Sequence, residues 1–93
     1  MTPRISHIDV HVPSPLRSYT GGQSRVPAAG DTIDEVLKDI DRAHPGMRFR
    51  MIDEHNRIRA HMRVFVNSIE VADLGHELRD RDVVHLVCAL SGG

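Results

Sequence analysis

One stretch of this sequence, residues 31–44, is strongly helical, and most of the remainder reads as short strands and turns. Thr32 and Glu35 have the S/T-x-x-E spacing of a capping box, in which hydroxyl and carboxylate each satisfy an orphan N–H. Ile33, Val36, Leu37 and Ile40 then fall on one apolar stripe. Asp34, Glu35, Lys38, Asp39 and Asp41 cover the solvent side, with the first acids complementing the N-terminal dipole. His44-Pro45-Gly46 stops the helix, because the residue before proline avoids the right-handed helical region. A single amphipathic helix must bury its stripe against something, and strands are what the chain offers. The reading is a two-layer α+β roll, a mixed sheet of four to five strands with one main helix on one face.

The strands follow from alternation. Residues 1–5 are expected to fray. Residues 6–12 put Ile8, Val10 and Val12 on one face and His7, Asp9 and His11 on the other. Pro13-Ser14-Pro15 ends that strand, Leu16 and Tyr19 pack at its end, and Thr20-Gly21-Gly22 turns the chain into an antiparallel strand over 23–27. Gly21-Gly22 is no phosphate loop, since no Lys-Ser/Thr follows and no helix starts there. Residues 47–52 add a short helical turn with Met47 and Ile52 inward, and 53–56 form a polar turn. Val64-Phe65-Val66-Asn67 is a third main strand. Ser68 turns the chain, Ile69-Glu70-Val71 returns, and 72–78 is loop. Arg79-Asp80-Arg81-Asp82 delivers a final strand over 83–90. The first and last strands are both strongly apolar and are expected to lie centrally. The core is expected to comprise Ile8, Val10, Val12, Ile33, Val36, Leu37, Ile40, Val64, Val66, Val84 and Leu86.

Ninety-three residues make one domain. A net charge of −1 gives no basic footprint for nucleic acid. The single cysteine, Cys88, excludes an internal disulfide and fits a reducing compartment. There is no apolar run long enough for a membrane span and no signal-peptide core, so the cytoplasm is the expected location. Eleven arginines against one lysine, Lys38, fit a base-composition bias.

Chemistry-bearing residues are few. The row His7-Asp9-His11 has imidazole and carboxylate donors but no identifiable fourth ligand, and reads as a solvated sheet face. Cys88 shares the parity of Val84 and Leu86, so it is expected to act as a small hydrophobe, not as a sulfur relay. The same parity sends Phe65, His85 and Val87 outward, an apolar patch near the chain's end and a candidate docking surface. The ending itself is a further candidate, although a short glycine tail alone is a weak signal, since two small residues can simply fray at a terminus. A strand is followed by Leu90, Ser91, Gly92 and Gly93. The domain is read as 1–89 and the thin, flexible tail as 90–93. Gly92 and Gly93 lack a Cβ, so a terminal carboxylate on this tail can enter a slot too narrow for other residues.

The whole order resembles the ubiquitin-like β-grasp fold, and in particular the ThiS/MoaD family of sulfur carriers, with similarity to its CysO-like members. The matching residues are the first strand running into Pro15-Leu16-Arg17-Ser18-Tyr19-Thr20-Gly21-Gly22-Gln23, then Gly30-Asp31-Thr32, His44-Pro45-Gly46, Val64-Phe65-Val66-Asn67, Asp80-Arg81-Asp82-Val83 and Gly92-Gly93. Family members commonly have glycine where this chain has Arg81 and Ser68, and proline near Cys88. The resemblance implies a protein co-substrate, not an enzyme, with no intrinsic cofactor and no metal. A ubiquitin-activating-type enzyme with sulfurtransferase function would use ATP to adenylate Gly93, and sulfur would convert it to a thiocarboxylate. A sulfur-acceptor biosynthetic enzyme would then consume that sulfur, for cysteine, a cofactor or a sulfur-containing natural product. Ubiquitin-like proteins also dock through the sheet face, which assigns Phe65, His85 and Val87 to the activating enzyme. Two alternatives stay open: a modifier joined through Gly93 to target lysines, and a docking module that is never activated. Neither nucleic acid nor membrane is an expected partner.

Overall fold

The computed structural model describes residues 6–89. The expected N-terminal fraying and the C-terminal tail therefore lie outside the described residues. Five strands form one mixed sheet: β1 (His7–His11), β2 (Arg25–Ala29), β3 (Met62–Val66), β4 (Ile69–Val71) and β5 (Val83–Cys88). Their order is β2-β1-β5-β3-β4, with β1 parallel to β5 and the other neighbours antiparallel. The first and last strands thus lie inside the sheet, as expected, and β5 is central. Helix α1 (Ile33–Ala43) buries Ile33, Val36, Leu37 and Ile40 against one face. This is the β-grasp arrangement. All eleven residues expected in the core are buried, and Leu16, Val26, Met47, Met51, Ile52, Met62, Val71 and Leu78 join them.

The start of α1 shows how local chemistry fixes the roll. The Thr32 hydroxyl accepts from the Glu35 N–H at 3.2 Å. The Glu35 carboxylate reaches back to the Asp31 N–H at 2.7 Å, one residue earlier than in the standard box. Two further N–H groups of the first turn are satisfied from the loop 72–78: Ile33 donates to the His76 carbonyl and Asp34 to the Leu74 carbonyl. That irregular segment therefore ties the helix to the strand it precedes.

Three local features refine the sequence reading. Residues after Pro13 form a 3₁₀ helix, Ser14–Thr20, that buries Leu16. The helical turn expected after Gly46 is α2 (Met47–Met51). Gly46 has φ 97°, and a Cβ there would lie 2.9 Å from a Tyr19 ring carbon, so the stop signal needs a glycine on both counts. The acids of α1 are also not a uniformly solvated face. Asp34, Asp39 and Asp41 are half-buried. Asp34 bonds Arg48 at 2.9 Å, Asp39 accepts from the Ala29 N–H, and Asp41 accepts from the N–H groups of Gly46 and Arg48. The Arg48 guanidinium holds the Asp34 carboxyl below the usual carboxylate range, with Lys38 adding to the effect.

Candidate functional site

β5 runs through the middle of the sheet toward the tail. Its last described contact is firm: the Ala89 N–H donates to the His61 carbonyl at 2.7 Å. The candidate site residues Leu90, Ser91, Gly92 and Gly93 lie outside the described residues. Cys88, just before this root, is half-buried and packs against the core. Its Sγ lies 3.4 Å from the Met62 sulfur. Burial pushes the thiol pKa up, while Arg50 pulls it weakly down. A thiol kept protonated is a poor nucleophile, which favours packing as its role.

The helix-free face of the sheet carries the other candidates. Phe65 lies opposite His85 across the β3–β5 pair, and Val87 follows two residues along β5 opposite Arg63. The structure thus brings Phe65, His85 and Val87 together. The expectation of an exposed aromatic needs correction, because Phe65 is half-buried, as is His85, and Val87 alone of the three is open, at 37% exposure. On one side the His11 ring meets the His85 ring edge-on, with centroids 4.4 Å apart. On the other side Glu70 lies opposite Phe65, and Arg63 pairs with it at 3.5 Å. The outward row of β1 is engaged in ion pairing. Asp9 accepts from Arg25 at 2.6 Å and lies 3.4 Å from His11. The Arg25 hydrogen bond holds the Asp9 carboxyl below its ordinary pKa. The patch is therefore a narrow apolar strip between two charged borders.

A model of the ThiS family matches residues 10–93. The chain belongs to the ThiS family. It is 32% identical over 92 residues to the sulfur carrier protein CysO of Mycobacterium tuberculosis strain ATCC 25618 / H37Rv, covering 94% of this chain and 99% of that protein. Its fold is similar to a chain in the crystal structure of the Amycolatopsis orientalis BexX/CysO complex, with a TM-score of 0.87 and 31% identity over 92% of this chain and 99% of that one. Small archaeal modifier protein 1 of Methanosarcina acetivorans shares the fold at a TM-score of 0.81 and 17% identity, covering 98% and 100%.

One surface of this ThiS family chain escaped the sequence reading. Phe49, on α2, is 65% exposed. Arg59 donates through Nε to the Phe49 carbonyl at 2.7 Å, and its guanidinium sits 4.6 Å from the centroid of the Phe49 ring. The available signal was the helical spacing over 47–52, which turns Met47 and Met51 inward and leaves Phe49 facing away.

Proposed function

We propose that the protein is a sulfur carrier whose Gly93 carboxylate is adenylated and then converted to a thiocarboxylate. The observation that carries this reading is the Gly92-Gly93 ending of a ThiS family chain whose central strand, β5, leads directly toward it. A carboxylate is a poor electrophile until one oxygen belongs to a good leaving group. ATP, used by an activating enzyme of the ubiquitin-activating type, supplies that leaving group as AMP. Sulfur displaces it, and the acceptor enzyme receives sulfur at high effective concentration in place of scarce free sulfide. The domain supplies no acid, base or metal to this chemistry. It supplies a rigid body to grip and a thin end to thread. Phe65, His85 and Val87 form the grip. The final acceptor is a biosynthetic enzyme that takes sulfur into cysteine, a cofactor or a natural product.

The test is intact-mass spectrometry after incubation with the activating enzyme, ATP and a sulfur donor. The expected result is a gain equal to exchanging one oxygen for sulfur, lost when Gly93 is deleted. A truncated protein that still gains sulfur overturns the assignment. Lysine-linked conjugates in denatured extracts, without any thiocarboxylate, would replace the carrier with a modifier.

A further inference from the structure

The arginines are concentrated in one place. Residues 47–63 contain five arginines against two acids, in a chain whose net charge is −1. Within this stretch Arg48 is spent on Asp34 and Arg63 on Glu70. Asp53 is likewise spent inside its own turn, accepting from the N–H groups of His55 and Arg57. Arg50 and Arg57 are exposed, and Arg59 is half-exposed over the Phe49 ring. Among the described residues none of these three arginines forms an ion pair with a carboxylate. Phe49, Arg50, Arg59 and His61 line a shallow concavity of ≈ 230 Å³, in which Glu54 is the one acid.

The position of this surface matters as much as its charge. His61, on the rim of the concavity, is the residue whose carbonyl holds Ala89. Gly93 is the fourth residue beyond Ala89, and even a fully extended chain of that length spans no more than about 14 Å. Whatever closes on the Gly93 carboxylate must therefore bring its outer rim against the surface around Ala89. That surface is cationic, with an aromatic ring held outward at its centre. The hydrogen bond and the cation–π contact from Arg59 fix the ring in advance, so little side-chain freedom remains to be lost on docking.

We infer that Phe49, Arg50 and Arg59 form a cationic collar at the root of the tail, which docks the acidic rim of the enzyme that receives Gly93. This rests on the reading of Gly93 as the activated terminus. The partner chemistry is an anionic protein surface with an apolar recess for the Phe49 ring. Charge complementarity steers the encounter and fixes register, and the aromatic supplies the buried anchor. The collar is distinct from the Phe65 strip but continuous with it through Arg63, which lies opposite Val87. Nucleic acid is the lesser fit, because the collar has one ring and no second stacking platform, and the charge on the rest of the chain is opposite.

The experiment uses the full-length chain, fluorescently labelled, against the ubiquitin-activating-type enzyme of the same organism. Affinity is measured by anisotropy without ATP at low and high salt, and activation by ATP–pyrophosphate exchange. The variants are Phe49→Ser, whose ring is already in solvent, and the pair Arg50→Glu with Arg59→Glu. Each is expected to bind about tenfold or more weakly at low salt, and the charge-reversed pair is expected to lose the salt dependence of the wild type. Variants that keep their circular dichroism and bind within about twofold of wild type at low salt overturn the collar. Salt-dependent binding without pyrophosphate exchange keeps the collar and overturns the Gly93 reading. Absence of binding by the wild type overturns both. Retention of a fluorescent single-stranded oligonucleotide by wild type and not by the variants, with enzyme binding unaffected, reassigns the surface to nucleic acid.

Discussion

Arg81 holds a left-handed backbone conformation, with φ 74°. It lies in the charged turn before β5, at a place where the family commonly has glycine. Its N–H is still needed, donating to the His7 carbonyl at 2.8 Å, so the turn cannot relax away from this geometry. The left-handed region costs an ordinary residue roughly 1–2 kcal/mol through the clash of Cβ with the next carbonyl. The side chain returns little, since its contact with Asp80 is 3.9 Å long and mostly in solvent. Arg81→Gly is therefore expected to stabilise the fold by about 0.5–1 kcal/mol after the entropy of the freer unfolded chain is counted. Arg81→Val is expected to destabilise it. Chemical denaturation ranks the three, and a glycine variant weaker than wild type sinks the strain argument. The other departure at a turn, Ser68, carries no such burden, because Asn67 takes the positive φ itself. Single residues were legible in direction but not in coverage. Parity pointed Phe65 out of the core correctly, yet alternation says nothing of flanking side chains, and the ring is half-covered.

Helix α1 was the most legible element, because its cap, stripe and stop agree with one another. The acids on its far side were not legible, since a carboxylate facing solvent and one capping a neighbouring segment have the same spacing. Asp41 is the clearest case. The N-cap of α2 is Gly46, which has no side chain to cap with, and Asp41 Oδ1 serves instead, accepting from the N–H groups of Gly46 and Arg48 at 3.1 and 3.2 Å. The preceding helix thus caps the next one. Asp41→Ala is expected to cost about 1–2 kcal/mol, at the upper part of the range for a lost cap because two donors are left unpaired. Asp41→Asn should recover most of it, since its carbonyl oxygen can still accept. A denaturation midpoint unchanged in Asp41→Ala would show that water replaces the cap without cost. The 3₁₀ helix Ser14–Thr20 is not legible in the sequence for a related reason. Pro13 and Pro15 mark only the end of β1, and the short local bonds of the helix leave no long apolar period to detect.

At the scale of the molecule, the sheet order depends on the parallel pairing of β1 with β5, which joins the first and last strands. Periodicity could place both strands inside the sheet but could not supply their register, because long-range pairing leaves no local trace. The consequence of that pairing is a rigid platform with β5 at its centre, so the strip on its open face and the root of its tail are fixed relative to each other. Grip and chemistry are then separable. Under the proposed function, a contact on the strip made equally before and during adenylation lowers KM and leaves kcat alone, whereas loss of Gly93 is expected to abolish turnover. Phe65→Ala is expected to weaken association with the activating enzyme by roughly 1–3 kcal/mol, as for an aromatic anchor, while kcat in pyrophosphate exchange holds. Because the strip is apolar, the loss should not depend on salt, unlike the loss expected at the Phe49 collar. Truncating a half-buried ring also removes its cross-strand contact with His85, worth roughly 0.2–1 kcal/mol, so the variant should be slightly less stable yet folded. Titration calorimetry with circular dichroism on the same samples decides the matter. An unchanged affinity in folded Phe65→Ala would remove the strip from the interface and leave recognition to the tail and its root.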